Sequence, residues 1–368
     1  MMPALLLLQT LFSLSGIEVG KMEMQEKKLQ MEEGVLLKQR AGTFQAERGV
    51  ADLDERFLPL SLDFQGHVTY TMEQGAVLNS PFLSVDCKKL QAYCHGTDSD
   101  KVEYNDEKEG IRLLCQRMEL HFREEKPNLW KILAEEELEV TLRNGEKVMG
   151  PQAILKRDEK GNAFVDFIGK TRIKTPAHEE IIAESARIDL TKQSARLEGT
   201  TMVKLPGVAP RVLTAFGPVV VEGEKIVIES PEVDGKVPEE QQVSLKDDKG
   251  ELFADRAELR YSKKSGKLNL QTLTLNGNVR MVYNTQVALA DQGVLDFPTR
   301  ELRLKAISRN SVLLYDRLNR MQAGAKEMII RLDPATNEPS VRGVGVMRLT
   351  LKEDELRELK NRFSSYGL

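Results

Sequence analysis

Residues 273–283 read Leu-Thr-Leu-Asn-Gly-Asn-Val-Arg-Met-Val-Tyr. The odd-numbered positions of this stretch carry Leu, Gly, Val, Met or Tyr, whereas the even-numbered positions are mostly polar. A period of two is typical of a β-strand that buries one face and exposes the other to water. Because such strands build a sheet with one apolar face, we predict a partner layer that covers that face.

The same pattern returns along the chain from about residue 40 to residue 350. Each copy has a corner of small residues, a strand, a polar turn, a second strand, and then Gly with an apolar residue. Small residues suit places where backbones bend or approach closely. Because no copy can bury its own apolar face, we predict that the copies stack; an ordinary β-sandwich with similar strands is the alternative. The copies start at Ala46, Ala183, Ala254, Ala290 and Ala323, and a weaker copy starts at Gly150.

The composition agrees with one-sided strands. The 368 residues include 57 acidic and 53 basic side chains, for a net charge of −4, and 40% are hydrophobic but only 5% aromatic. A charged outer face that alternates with an aliphatic inner face produces this combination. The near balance of charge argues against a nucleic-acid-binding protein, whose affinity depends on Lys and Arg contacts with phosphate.

The start of the chain and its cysteines bear on the compartment. Residues 1–16 are too short to span a bilayer as a helix. They are typical of a signal peptide, although no Lys or Arg precedes the apolar run, and a short N-terminal anchor is the alternative. The odd number and uneven spacing of Cys87, Cys94 and Cys115 argue against a disulfide framework or a metal site. In an exported protein, Cys87 and Cys94 are the pair placed to form a disulfide across a turn.

Three segments depart from the strand pattern. Residues 18–38 are rich in Met, Glu, Lys and Gln, which favours a helix. At the C-terminus, the spacing of Leu356, Leu359 and Phe363 predicts a helix over residues 351–368. That helix would cover the last strand edge or serve as a docking element for a partner. Prolines blur the repeat between residues 201 and 250, which makes this stretch a candidate junction between two β-modules.

The sequence does not indicate an enzyme. Glu184, Asp255 and Asp291 occupy equivalent positions of the repeat, which favours hydrogen bonding at corners over a single catalytic centre. We find no nucleophile elbow, zinc-protease, phosphate-loop or dinucleotide-binding motif, and we predict no cofactor.

Residues 254–259 and 275–279 resemble the recurring elements of the OstA-like family, which includes the periplasmic lipopolysaccharide-transport proteins LptA and LptC and the periplasmic part of LptD. The resemblance is clearest from about residue 178 to 350 and faint from 40 to 175. It implies either two fused modules, over residues 17–175 and 176–350, or one module beside a half with another role. Each would be an all-β stack of antiparallel strands, an open β-jellyroll or β-taco solenoid.

The family resemblance also implies a function. The protein would be a periplasmic transport bridge between the inner and outer membranes, which shields the acyl chains of lipopolysaccharide or a related glycolipid in an apolar groove. Its partners would be other transport components, or further copies of itself, joined by pairing of edge strands. A structural scaffold of the cell envelope without lipid cargo is the alternative. The residues expected to line the groove are Leu259, Tyr261, Leu268, Leu270, Leu275, Val279, Met281 and Leu295.

Overall fold

A computed structural model describes residues 14–39, 42–123, 129–175, 180–205, 211–264, 267–317, 321–332, 339–345 and 348–349. The predicted all-β class is confirmed, and the strands pair in antiparallel fashion. Among the described residues, the helical structure is a single 3-10 turn at Glu239–Gln241. The described part of the chain falls into two compact units. One comprises residues up to 176 with Glu184–Ala195, and the other comprises residues 177–183 and those from 196 onward.

Of the strands in the first half of the chain, β1–β14 and β16 lie in the first unit. They are β1 (Leu14–Gln25), β2 (Lys28–Gln39), β3 (Gly42–Ala46), β4 (Arg48–Leu53), β5 (Pro59–Met72), β6 (Val77–Asp86), β7 (Gln91–His95), β8 (Val102–Asp106), β9 (Ile111–Cys115), β10 (Arg117–Phe122), β11 (Leu129–Leu142), β12 (Lys147–Arg157), β13 (Ala163–Ile168), β14 (Thr171–Lys174), β15 (Glu180–Ala183) and β16 (Ser185–Asp189).

The remaining strands continue the antiparallel pattern, and β15 and β18–β32 lie in the second unit. They are β17 (Ser194–Glu198), β18 (Thr201–Leu205), β19 (Arg211–Ala215), β20 (Val219–Glu222), β21 (Lys225–Glu229), β22 (Val243–Lys246), β23 (Gly250–Ala254), β24 (Arg256–Lys264), β25 (Lys267–Tyr283), β26 (Gln286–Asp296), β27 (Glu301–Lys305), β28 (Val312–Asp316), β29 (Met321–Ala325), β30 (Glu327–Leu332), β31 (Pro339–Val344) and β32 (Arg348–Leu349). The proline-rich stretch 201–250 therefore still forms strands, from β18 to β22.

The longest strands change partner midway. The first part of β25 pairs with β24 and its last residues pair with β23. At the change of partner, Gly277 and Asn278 have positive φ angles of 73° and 42°, and the register with β26 shifts. β5 and β11 follow the same plan, with positive φ at Gly66 and at Glu136. Two series of short strands thus run along each unit, joined by long strands that bend from one series to the other.

A polar residue interrupts the short strands beside each of these bends. Asp255 separates β23 from β24, and its backbone N–H donates to the Gly277 carbonyl over 3.0 Å. Glu47 and Gln116 do the same toward Gly66 and Glu136 in the first unit, both also over 3.0 Å. These corner residues recur about every 70 residues, which marks the period of the repeat. In the described part of the chain, the residues that separate two successive short strands in this way are Glu47, Gln116, Glu184, Asp255 and Lys326.

The helix predicted over residues 18–38 is wrong, because β1 and β2 form a hairpin there. Leu29, Met31, Val35 and Leu37 are buried in β2 at alternate positions. Met, Glu, Lys and Gln favour helices in isolation, but pairing with neighbouring strands overrides a propensity this weak. The helix predicted over 351–368 lies outside the described residues, as do residues 1–13 of the predicted signal peptide.

The three cysteines are free and buried, so the predicted Cys87–Cys94 disulfide is not formed. In the register of β6 and β7, Cys94 stands opposite Leu83, whereas Cys87 lies beyond the last pair of the hairpin. Burial raises the pKa of the Cys87 and Cys115 thiols to about 12. Both therefore remain protonated and unreactive near neutral pH.

Candidate functional site

The apolar interior of the second unit is built from rows of side chains that run across neighbouring strands. Leu259 of β24 stands opposite Leu273 of β25, which stands opposite Leu295 of β26. Directly paired residues point to the same face of a sheet, so each row is a continuous aliphatic stripe. At about 4.8 Å between strands, a stripe of six strands is about 24 Å long. This row consists of Ile226, Leu259, Leu273, Leu295, Leu302 and Ile330.

A second row lies two residues along each strand and contains small residues. Leu275 stands between Ala257 and Gly293. A β-carbon at Gly293 would come within 3.3 Å of both the Leu304 and the Val279 side chains, so these side chains close over the glycine. The row consists of Ile228, Ala257, Leu275, Gly293, Leu304 and Met328.

The other series of strands in this unit presents a smaller surface to the interior. Val279 stands opposite Ala290, and Met281 stands opposite Ala288. Alanines recur at buried positions along this series, between larger buried side chains such as Leu213, Leu245 and Leu314. The buried alanines are Ala183, Ala215, Ala254, Ala288, Ala290, Ala323 and Ala325.

The predicted groove residues fall into three groups. Leu259, Tyr261, Leu275, Val279 and Met281 are buried, with at most 5% of their surface exposed. Leu270 and Leu295 are half-buried, and the side chain of Leu268 lies outside the described part of the structure. The Tyr261 hydroxyl donates to the Gly223 carbonyl over 2.8 Å, which satisfies its polar end. The interior is therefore apolar and closed to water in this conformation.

Nine of the twelve residues in the two rows were not among the predicted groove residues. Ile226, Ile228, Met328 and Ile330 belong to strands far away along the chain, although each lies in its own alternating stretch. The alternation signals that these residues are buried, but the residues that they face depend on the pairing register, which the sequence pattern does not supply.

The interior of the first unit differs in one place, where a cluster of aromatic rings lies among its aliphatic side chains. Phe44 stacks on Tyr70 with 4.0 Å between ring centroids, and on Phe64 with 5.2 Å. Tyr70 also meets the edge of Phe122 at 6.3 Å. Offset and edge-on ring contacts of this kind add to the stability of a close-packed core.

Two of the repeated carboxylates accept several hydrogen bonds, Asp255 at its corner and Asp291 within the long strand β26. Asp255 accepts hydrogen bonds from the side-chain amides of Gln242 and Asn278, both over 2.8 Å. Asp291 accepts the backbone N–H groups of three successive residues, 307–309, at 2.6 to 2.8 Å. The described residues contain no group of three His, Cys, Asp or Glu side chains placed to hold a metal ion.

In comparisons with known proteins, the chain matches no family model and no curated protein sequence. Within the described ranges, none of the structure is a helix with the length and hydropathy needed to cross a membrane.

Proposed function

We propose that this protein binds lipopolysaccharide or a related glycolipid in the interior of its second unit and acts as an OstA-like bridge between the inner and outer membranes. In this proposal the protein is periplasmic, has no catalytic activity, and each unit is a β-taco module. Its action is passive and rests on burial of the acyl chains. Each buried CH₂ lowers the transfer free energy by about 0.8 kcal/mol.

The observation that carries the proposal is the pair of continuous aliphatic rows across β21, β24, β25, β26, β27 and β30. A lipid slot needs an aliphatic lining without polar traps, and these rows supply one. The small alanine side chains in the other series would leave an acyl chain room to enter if the two series separate. The contrast with the aromatic core around Phe44 and Tyr70 supports the second unit as the binding unit.

A structural scaffold without cargo is the second candidate function. It is favoured by the low exposure of the interior, where Leu259 and Val279 have 0% of their surface accessible. Aliphatic side chains of this kind are usually found in a closed core. The two candidates differ in whether the interior opens to admit a lipid.

Strand β1 supports the proposed assembly with other components. Within the described chain it pairs with β2 along one edge, and its apolar side chains Ile17, Met22 and Met24 are exposed. Strand edges with apolar side chains are ready templates for pairing with another chain. We therefore include end-to-end strand pairing, with a transport partner or a second copy, in the proposal.

Photo-crosslinking from the interior tests the lipid-binding function. A photoreactive amino acid is placed in turn at Leu275, Val279 and Leu295, and the protein is irradiated with lipopolysaccharide. Thr274 is the matched control, because it lies between two inward-facing leucines and points to the opposite face. Mass spectrometry then identifies the adducts, and lipid that copurifies with the native protein is measured in parallel.

Glycolipid adducts from the three inward positions, with few from Thr274, support transport. Adducts that join the inward positions only to other parts of the protein would overturn the lipid-binding proposal and favour the scaffold. Equal lipid adducts from Thr274 would indicate adsorption to the surface, which also contradicts a groove.

A further inference from the structure

Ring side chains gather on the outer face of the first unit, where β6, β7 and β10 run side by side. Tyr93 and His95 of β7 are exposed, and His121 of β10 is half-buried; each alternates with buried residues of the interior. The Phe82 and His95 rings stack, with centroids 4.6 Å apart. His121 meets the edge of Trp130, the single tryptophan of the chain, at 6.1 Å. Accessible aromatic rings set close together are typical of binding surfaces.

The repeat does not require rings at these positions. In the second unit, β21 and β24 take the places of β7 and β10, because the corner residue Asp255 before β24 corresponds to Gln116 before β10. The counterparts of Gln91, Tyr93, His95 and His121 are Lys225, Val227, Glu229 and Arg260. Ion pairs cover that face instead, such as Lys225 with Glu258 at 2.9 Å. The rings are thus an addition to the repeat in the first unit.

A groove of about 890 Å³ lies against these rings. Its lining includes Tyr93, His95, Arg117, Glu119, Leu133 and Glu135, and its volume falls within the range of small-molecule binding sites. Tyr93 of β7 stands opposite Glu119 of β10, which stands opposite Leu133 of β11. An elongated ligand that runs across these strands would therefore meet an aromatic ring, a carboxylate and an apolar side chain in turn.

A chain of polar contacts holds the side chains of this surface in place. The Tyr93 hydroxyl donates to Gln91 Oε1 over 2.6 Å, and Gln91 Nε2 donates to His121 Nδ1 over 3.1 Å. Burial lowers the pKa of His121, so its ring is neutral at pH 7. Because Nδ1 accepts, the ring proton is on Nε2, which lies 2.8 Å from Glu119 Oε1. Side chains fixed in this way lose little conformational entropy when a ligand binds.

The charges of the groove bear on the class of ligand. Five carboxylates and one guanidinium line it, which disfavours phosphorylated or otherwise anionic ligands. Glu136 pairs with Arg117 at 3.3 Å. Glu137 pairs with Lys101 at 2.8 Å. Because these cations neutralise two of the carboxylates, the attraction for a polycationic peptide is also reduced. The lone pairs that remain suit hydroxyl groups, which both donate and accept hydrogen bonds.

We propose that this groove binds a neutral oligosaccharide. The face of a sugar ring carries C–H groups, which pack against the negative face of an aromatic side chain such as Tyr93. The sugar hydroxyls donate to Glu119 and Glu135 and accept from Arg117. The inference does not rest on the proposed lipid binding, because none of these residues belongs to the second unit.

Trp130 gives a direct readout, because it is the single tryptophan and contacts His121. Maltohexaose, cellohexaose, chitohexaose and mannohexaose are titrated into the full-length protein, and tryptophan fluorescence and calorimetry are recorded in parallel. Saturable binding of at least one of these neutral sugars is expected. Binding of none of the four by either method would overturn the proposal. Tighter binding of hexalysine than of any sugar would assign the groove to a basic peptide, which also overturns it.

Matched variants locate the site. Tyr93 is 39% exposed, so Tyr93→Ala should leave the fold intact, as circular dichroism verifies, and weaken sugar binding about tenfold or more. Tyr93→Phe keeps the ring and should retain most of the affinity. Val227→Ala, at the equivalent position of the second unit, should leave binding unchanged. Unchanged binding in Tyr93→Ala, or equal weakening in Val227→Ala, would contradict a site in this groove.

Discussion

At the scale of single residues, the bends of β5 and β25 depend on close contact between a glycine and a carboxylate. Gly277 has a φ angle of 73°, and a β-carbon built on it would lie 2.5 Å from the Asp255 carboxylate. Gly66 makes an equally close approach to Glu47 in the first unit. The glycine and the acid therefore fit each other at these two bends.

Replacing Gly277 with alanine is expected to destabilise the protein by about 2–4 kcal/mol, because it adds a steric contact to an unfavourable φ angle. Gly235→Ala is the matched control, with a φ angle of 72° and no atom within 4 Å of the added methyl group. That variant should lose only about 1 kcal/mol. Urea unfolding measures both values, and equal losses would show that the contact with Asp255 is unimportant.

Asp291 is expected to make stability depend on pH. Burial raises its pKa, but the hydrogen bonds from the Arg309 and Ile307 N–H groups outweigh this effect and lower the pKa to about 2. In the unfolded chain the pKa of an aspartate is about 3.9. The carboxylate therefore contributes stability above about pH 4, and this contribution is lost as the pH falls toward 2.

The substitution Asp291→Asn should lower the free energy of unfolding by about 1–2 kcal/mol at pH 7, with allowance for solvent screening. The difference from the unmodified protein should shrink between pH 4 and pH 3. Asp248→Asn, in an exposed turn of the same unit, is the control and should change stability little. A loss for Asp291→Asn that is constant over this pH range would contradict the titration argument.

At the scale of elements, alternation along a strand was readable from the sequence, but pairing between strands was not. The odd positions of residues 273–283 predict burial, and Leu275, Val279 and Met281 are buried. Ile226 and Ile330 escape prediction because their place in the row depends on hydrogen bonds between segments distant in sequence. Residues 18–38 were misjudged because local helix propensity is weaker than the pairing of β1 with β2.

The edge of β1 that pairs with no other described strand gives a prediction at this scale. Successive residues of an edge strand direct their N–H groups in opposite directions, one toward β2 and the next toward solvent. Of the single variants Glu23→Pro and Met24→Pro, the one that removes the outward N–H should abolish end-to-end oligomers and leave the monomer folded. The other should destabilise the β1–β2 hairpin. Sedimentation and circular dichroism distinguish these outcomes; oligomers that persist in both variants would exclude pairing through β1.

At the scale of the whole molecule, the two compact units are expected to unfold separately. Leu275→Ala removes a fully buried side chain and should cost about 2–4 kcal/mol. Hydrogen exchange is expected to accelerate in β24–β27 and to change little in β5–β7, because neighbouring strands of a repeat share stability locally. Leu83→Ala, in the first unit, should give the reverse pattern. Equal acceleration in both units by either variant would show that the chain unfolds as one cooperative body.

The regular return of Glu47, Gln116, Glu184, Asp255 and Lys326 also has a consequence for how such a chain can change length. Adding or removing one residue within a strand exchanges its inner and outer faces. A duplication or deletion of one full period, about 70 residues, would preserve every bend, corner and inward side chain. Insertions and deletions that the fold tolerates are therefore expected to span whole periods. Engineered shorter or longer versions should likewise be cut or joined at equivalent corner residues.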